Sequence, residues 1–181
     1  MTRSSARELA VHLIYSRSFT GEEPMTTIEA RLDREYYAQL SQENEIYVER
    51  PSRKQLSYID TVVVGTANRA QELDAIISRH AIGWDVSRIS RLTRAILQLA
   101  LFECQFVDDV PVGVAVNEAV SLAKKYDGDD AGAFVNGILR AFLRTPKEET
   151  APATAGEAEP VAPAQVETAP AAEVTAGENA Q

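Results

Sequence analysis

The sequence predicts an all-α protein of six or seven helices. Apolar residues recur at three- and four-residue spacing in one segment after another, which is the period of one face of an α-helix. No segment sustains the alternation of apolar and polar residues that marks a half-buried strand. The chain has 181 residues, of which 45% are hydrophobic, and this is enough for one domain with a substantial core.

The first helix is predicted to run to about Phe19. Ser5 followed by Glu8 forms a capping-box signature, and apolar residues then repeat at helical spacing. The stretch TGEEP interrupts this pattern, after which one apolar stripe predicts a second helix. The stripe consists of Ile28, Leu32, Tyr36 and Leu40. Residues 41–51 are predicted to form a loop.

A single long helix is predicted from Ser52 to His80. Ser52 and Gln55 form another capping box, and apolar residues follow at alternating three- and four-residue spacing. At 1.5 Å per residue this helix would be roughly 40 Å long, enough for a central spine on which others pack. The valines at 62–64 lie inside this pattern, so we interpret them as helical. Gly83 closes the section.

Three further helical segments complete the predicted fold. Asp85 caps a short turn before a strongly apolar helix over residues 89–106, which we expect to be almost completely buried. The sequence VDDVP then provides a stop and a helix-start proline, before an amphipathic helix with small residues that begins at Val112. DGDDAG separates that helix from a last one, whose apolar residues run from Phe134 to Phe142.

Residues 148–181 differ in composition from the rest of the chain. They are rich in Ala, Pro, Glu and Thr, with seven glutamates, no Lys or Arg, and no aromatic residue, Leu or Ile. Such a segment cannot bury enough apolar surface to fold, so we expect a disordered acidic tail after a helical domain of residues 1–147. The tail accounts for −7 of the formal net charge of −9, which leaves −2 for the domain. A nearly neutral domain can still present a local basic face.

Composition also argues against several function classes. Cys104 is the only cysteine, so no internal disulfide or cysteine-based metal cluster can form. Polar and charged residues break the apolar stretch of the N-terminus MTRSSARELAVHLIY, and no run of eighteen apolar residues occurs. Neither export nor membrane spanning is therefore indicated, and we expect a cytoplasmic protein. His12 and His80 are isolated, and no phosphate-cradling glycine loop appears. Asp129 and Asp130 alone make no metal site. We therefore expect a protein that is not an enzyme and needs no metal or cofactor.

Three stretches of the chain resemble the NusB family of transcription antitermination proteins. They are SARELAVHLIYS, WDVSRISRLTRAILQLALFE and VPVGVAVNEAVSLAKKYDGDDAGAFVNGILR. They occur in family order, and the resemblance covers residues 3–144. The third stretch is the most specific, because it combines unusual residues over two helices. The resemblance implies two small helical bundles that share a long helix, and it also implies a function, which periodicity cannot.

The implied function is RNA recognition without catalysis. Family members pair with a small-subunit ribosomal protein called NusE, the pair recognises the boxA element of ribosomal RNA leader transcripts, and antitermination by RNA polymerase follows. One alternative is a helical interaction scaffold or homodimer with weak or no specific RNA binding. A second resembles the recognition domain joined to ribosomal RNA cytosine methyltransferases, and we disfavour it because no catalytic domain accompanies the helices.

Single-stranded RNA recognition needs cations near phosphates and a planar side chain on which a base can stack. Arg3 and Arg7 lie four residues apart and are predicted to share the exposed face of the first helix, at positions similar to the family's arginine-rich patch. Here the patch has only two arginines, with Ser4 and Ser5 where more basic relatives carry charge. The alternative is that both arginines simply belong to a solvated face.

The resemblance places further RNA-binding residues beside the DGDDAG loop. Lys124, Lys125 and Tyr126 end the preceding helix and would extend a basic edge, although complementing the helix C-terminus could explain both lysines. Asp130 would accept hydrogen bonds from a base edge, or it would be a helix N-cap. Phe134 corresponds to the family's base-stacking aromatic, although its helical register would also suit the core.

The resemblance also suggests a surface for the protein partner. Tyr15 and Phe19 lie four residues apart at the end of the first helix and match positions of the family's NusE-facing surface. Their alternative role is burial of the helix end. Arg88, Arg91 and Arg94 rim a neighbouring surface, where some of them would instead pair with nearby acids.

Overall fold

The computed structural model describes residues 1–81 and 89–145, which contain helices and their connecting segments and no strand. The prediction of an all-α protein is confirmed, with eight helices and one 3-10 turn in the described ranges. They are α1 (Arg3–Thr20), α2 (Pro24–Leu32), α3 (Arg34–Leu40), the 3-10 turn Glu45–Tyr47, α4 (Arg53–Asn68), α5 (Ala70–His80), α6 (Arg91–Phe106), α7 (Val112–Asp127) and α8 (Asp129–Arg144). The expectations for Gly83, Asp85, Arg88 and the tail of residues 148–181 lie outside these ranges.

Helix α1 begins earlier than its predicted capping box. Thr2 is the N-cap, and its hydroxyl accepts a hydrogen bond of 3.0 Å from the backbone N–H of Ser5. The prediction of a box formed by Ser5 and Glu8 is therefore wrong, and the Glu8 carboxylate instead binds Lys125. The helix ends at Gly21, which adopts φ +67°, a left-handed conformation that glycine tolerates without strain.

The second predicted helix is divided in two at Asp33. This residue leaves the helical region with φ −48° and ψ 141°, and its carboxylate accepts hydrogen bonds of 3.0 Å from the backbone N–H groups of Tyr36 and Glu35. These bonds lower the pKa of Asp33. The Asp33 side chain therefore competes with continued helix and starts a new helix at this point. The apolar periodicity does not reveal this competition.

The predicted long helix is interrupted at one residue. Its capping box is present, with the Ser52 N–H donating to Gln55 Oε1 at 2.7 Å. Arg69 departs from helical geometry with φ −115° and ψ 16°, and this separates α4 from α5. Backbone bonds continue on either side, from Arg69 N to Gly65 O at 3.2 Å and from Leu73 N to Arg69 O at 2.9 Å. The prediction of one unbroken helix is wrong at this residue alone.

Helix α6 holds the fold together. It contacts α1, α4, α5, α7 and α8, whereas α1, α2 and α4 pack on one another and α7 packs on α8. Most of its residues are buried, among them Ile96, Leu97 and Leu101. The expectation of nearly complete burial is confirmed except at the helix ends, where Phe106 is 38% exposed. The central helix of the fold is thus α6.

Two helical glycines differ in the space around them. A Cβ at Gly65 would lie 2.1 Å from Phe102 Cζ, whereas a Cβ at Gly137 would meet nothing within 4 Å. We expect Gly65→Ala to destabilise the protein by about 1–3 kcal/mol through overpacking. Gly137→Ala should stabilise it by about 0.5–1 kcal/mol through helix propensity. Urea unfolding of both variants tests this pair, and a shift of the same sign in both would contradict the close approach of α4 to Phe102.

Candidate RNA-binding and partner surfaces

A line of polar contacts joins α1 to α7. Ser4 Oγ donates to Glu118 Oε1 at 3.0 Å, and Lys125 Nζ lies 2.7 Å from Glu8 Oε1. These contacts advance in the same direction along both helices, so the first turns of α1 and residues 118–126 of α7 form one continuous surface. We call this surface the α1–α7 seam, defined by Arg3, Ser4, Glu8, Glu118, Lys125 and Tyr126. Of these six residues, sequence reasoning selected three as RNA-binding.

Arg7 does not lie on this exposed surface. It is 2% exposed, and its guanidinium binds the Glu103 carboxylate through two hydrogen bonds of 2.9 Å. Its Nη1 lies 3.2 Å from Glu118 Oε2, and the hydroxyl of Tyr58 donates to Glu103 Oε1 at 2.7 Å. The prediction that Arg7 shares an exposed face with Arg3 is wrong, because acids of α6 and α7 cover it.

Arg7 and Tyr58 in this buried cluster have shifted pKa values. Burial alone would lower the pKa of Arg7, but the hydrogen bond and the charge of Glu103 raise it above the ordinary value. Burial, followed by the charge of Glu103, raises the pKa of Tyr58. Arg7 therefore stays charged and Tyr58 stays neutral near pH 7. This cluster ties α1, α4, α6 and α7 together.

Arg3 remains partly accessible, as predicted for a phosphate-binding residue. Its side chain is 33% exposed, and its guanidinium carbon lies 3.8 Å from the centre of the Tyr58 ring. Its Nη2 is 3.4 Å from Asp109 Oδ1. The cation–π contact orients the guanidinium without neutralising it, and the ion pair with the exposed Asp109 is weak.

The two predicted lysines are about half exposed and face different acids. Lys124 Nζ lies 3.5 Å from Asp129 Oδ1, whereas Lys125 binds Glu8. The aliphatic part of Lys124 packs over Gly132, where an added Cβ would come within 2.4 Å of Lys124 Cγ. Both lysines also lie in the last turn of α7, where a positive charge complements the helix C-terminus.

Tyr126 belongs to a hydrogen-bonded chain that sequence reasoning missed. Its hydroxyl donates to Glu8, so the same oxygen must accept from His12 Nε2, which lies 2.8 Å away. The neutral His12 ring then accepts at Nδ1 from the Tyr47 hydroxyl at 3.1 Å. Burial raises the pKa of Tyr126 and lowers the pKa of His12. The interpretation of His12 as isolated is wrong, since its partners lie 35 and 114 residues away in sequence.

Burial of His12 makes the stability of the protein depend on pH. Its pKa is lower in the folded protein than the ordinary value of 6.5, so the unfolded chain binds the proton more readily. We expect the contribution of His12 to the free energy of unfolding to have its full value above pH 6.5. It should fall as the pH drops towards the pKa of His12 in the folded protein. The slope from this residue cannot exceed about 1.4 kcal/mol per pH unit. Urea unfolding across this range checks it, and His12→Gln should flatten the profile. An unchanged profile in the variant would exclude His12 as its source.

Asp130 and Phe134 lie in the first turns of α8, directly after the end of α7. Gly128, with φ +91°, is the N-cap of α8, so the alternative that Asp130 is the N-cap is wrong. Asp130 is exposed in the first helical turn, where a carboxylate complements the helix N-terminus. Phe134 is half-buried and packs against the edge of the core. One part of this side chain therefore supports the core while the other remains accessible.

Tyr15 and Phe19 form an aromatic pair on the last turns of α1. Their ring centroids are 5.0 Å apart in an edge-to-face arrangement, and Phe19 is 60% exposed. The guanidinium carbon of Arg91 lies 4.6 Å from the centre of the Phe19 ring. Phe19 is therefore not simply buried at the end of the helix. An exposed aromatic residue held by a cation is typical of an interface anchor. Arg94, by contrast, pairs with Asp74.

The described residues were also compared with the requirements of metal binding, thiol reactivity and membrane spanning. No three His, Cys, Asp or Glu side chains among them are grouped so as to hold a metal ion. Burial raises the pKa of the Cys104 thiol to about 11, so little reactive thiolate forms near pH 7. None of the described helices is both long and apolar enough to cross a bilayer.

Comparison with known sequences identifies one family. A sequence model described as the NusB family matches residues 4–144. The transcription antitermination protein NusB of Acetivibrio thermocellus is 38% identical over 144 residues, which are 80% of this chain and 90% of that protein. The NusB protein of Ruminiclostridium cellulolyticum is 35% identical over 139 residues, which are 77% of this chain and 86% of that protein.

Comparison with solved structures agrees. NusB of T. maritima matches with a TM-score of 0.65 and 28% identity, over 82% of this chain and 96% of that chain. A chain from a crystal structure of the antitermination factors NusB and NusE in complex with double-stranded RNA matches with a TM-score of 0.63 and 25% identity, over 78% of this chain and 96% of that chain. By sequence and by fold, this chain belongs to the NusB family.

Proposed function

We propose that this protein is a cytoplasmic, non-catalytic transcription antitermination factor. It binds boxA-like RNA of ribosomal RNA leader transcripts together with NusE and joins the antitermination complex of RNA polymerase. The match of residues 4–144 to the NusB family carries this proposal. The structural likeness to a NusB chain in complex with NusE and RNA supports it further.

The RNA surface that we propose is the α1–α7 seam extended by the start of α8. Arg3 at one end and Lys125 at the other would contact phosphates, with Lys124 and Tyr126 beside them. Asp130 would accept hydrogen bonds from a base edge, and Phe134 would stack with a base. Arg7 supports this surface from beneath, through its buried bonds to Glu103 and Glu118.

Each of the proposed phosphate-binding cations already faces a carboxylate of the protein itself. Arg3 faces Asp109, Lys124 faces Asp129, and Lys125 faces Glu8. A phosphate must compete with these partners, although exposed ion pairs are worth only about 0–1 kcal/mol. We therefore expect the protein alone to bind RNA weakly, and NusE, which would dock on Tyr15 and Phe19, to increase the affinity.

The first test is fluorescence anisotropy with a boxA RNA and a scrambled RNA of equal length, at defined salt, with and without NusE. We expect binding that prefers boxA and is strengthened by NusE. Binding of NusE without any preference between the RNAs would instead support the interaction scaffold. Sedimentation of the protein alone would show whether that scaffold is a homodimer.

A charge variant sharpens this experiment. Lys125→Gln should weaken RNA binding and reduce the slope of log affinity against log salt by about one unit or less. Arg34→Gln is the matched control, because Arg34 is exposed on α3, outside the proposed RNA surface. Equal losses of RNA affinity in both variants would mean that RNA binding depends only on the overall charge of the protein.

A further inference from the structure

A half-enclosed cavity of about 370 Å³ lies where α1, α4, α5 and α6 meet. Its walls are partly apolar, with Ile14 and Val63 among them, and this volume is within the range of small-ligand sites. The polar part of the lining contains the three arginines Arg17, Arg91 and Arg94. The cavity is separate from the α1–α7 seam. Arg91 connects it to the aromatic pair of Tyr15 and Phe19, because its guanidinium lies over the Phe19 ring.

The positive charge of this cavity is only partly neutralised. Arg94 pairs with Asp74, which is itself part of the lining. Arg91 donates to the carbonyl oxygen of Ser18 at 2.9 Å, a neutral acceptor. Neither Arg91 nor Arg17 has a carboxylate partner within the described part of the chain. Three guanidinium groups against one carboxylate leave a formal charge of +2, which attracts an anion. Arg91 and Arg94 are themselves exposed, so solvent screens part of this attraction.

Two buried polar atoms belong to residues that line the cavity and have no hydrogen-bond partner in the described ranges. They are Arg17 Nε and Thr66 Oγ1. An arginine Nε–H can only donate, and a buried donor without an acceptor is unfavourable. The buried Arg7, by comparison, directs its Nε and Nη groups at two carboxylates. The side chains around the cavity therefore leave the buried Arg17 Nε–H donor without an acceptor.

We propose that this cavity binds a small oxyanion of the phosphate or carboxylate class, held mainly by Arg17 and Arg91. The planar guanidinium fork suits two oxygens of one anion, and the Thr66 hydroxyl can donate to a third. The Arg94–Asp74 pair stays intact, so binding displaces no existing ion pair. This inference goes beyond the proposed function, because the site needs neither RNA nor NusE.

The test is an NMR titration of the protein alone with inorganic phosphate at constant ionic strength, and with acetate in parallel. We expect saturable shifts of the backbone amides around the cavity, such as those of Ser18 and Ala67. Arg17→Gln should weaken the affinity about tenfold or more. Thr66→Val should fold normally and weaken it less. Arg53→Gln, at the exposed start of α4, is the matched control and should bind as the parent does.

The probes distinguish the sources of the anion. Saturation by phosphate alone supports a tetrahedral ligand, whereas saturation by acetate as well supports a carboxylate, such as an acidic side chain of a docked protein. Linear shifts without saturation would overturn the proposal, and so would equal affinities of the parent and Arg17→Gln. Because no RNA or NusE is present, either result leaves the antitermination proposal to its own test.

Discussion

Replacing Arg7 with methionine should destabilise the protein by about 3–5 kcal/mol. The substitution preserves most of the side-chain volume but leaves the Glu103 carboxylate, which is 1% exposed, without its bidentate partner. Tyr58 would remain as a hydrogen-bond donor to Glu103, and a hydroxyl cannot neutralise a buried charge. Urea unfolding followed by circular dichroism measures the loss.

Two further variants separate the buried charge from a simple loss of packing. Adding Glu103→Gln to Arg7→Met removes the unpaired charge and should recover part of the stability. Arg94→Met breaks the more exposed pair with Asp74 and should cost no more than about 1 kcal/mol. If Arg7→Met cost as little as Arg94→Met, the buried pair would not be a main support of the fold.

Replacing Phe134 with alanine should weaken boxA binding about tenfold or more. Stacking of one base on an aromatic ring is worth about 1–3 kcal/mol, and Phe134 is the aromatic residue in the first turns of α8, shortly after the end of α7. Its half-buried position means that the variant will also lose some stability. Anisotropy titrations should therefore be made well below the unfolding transition of the variant.

Phe134→Tyr is the matched control because it keeps the ring, and it should retain most of the affinity. Native circular dichroism of Phe134→Ala together with full boxA affinity would disprove the stacking role and leave Phe134 as a residue of the core edge. The fold and the family assignment do not depend on this result.

Most of the fold could be predicted because the apolar period is local information. The pattern located the segments of the eight α-helices in the described ranges, and it correctly treated the valines at 62–64 as helical. It missed the 3-10 turn Glu45–Tyr47, which lies in the predicted loop of residues 41–51. It missed the two interruptions for a physical reason. The carboxylate of Asp33 caps the start of a new helix, and Arg69 departs from helical geometry without a glycine or proline to signal it.

The site was predicted less completely, because exposure is a tertiary property. Arg3 and Arg7 have the same spacing signal, yet only Arg7 is covered, by a glutamate 96 residues away. His12 meets Tyr126 across 114 residues, and no pattern within α1 marks that contact. For Phe19 the spacing left both an interface role and burial of the helix end open, and only its exposure in the folded protein argues against burial.

The position of α6 determines how the protein unfolds. Two groups of helices pack against α6, one formed by α1, α2 and α4 and the other by α7 and α8. Neither can separate without exposing apolar side chains of α6 to water, so local opening of one weakens the other. The two groups should therefore melt as one cooperative unit, with the amide hydrogens of α6 exchanging last with solvent.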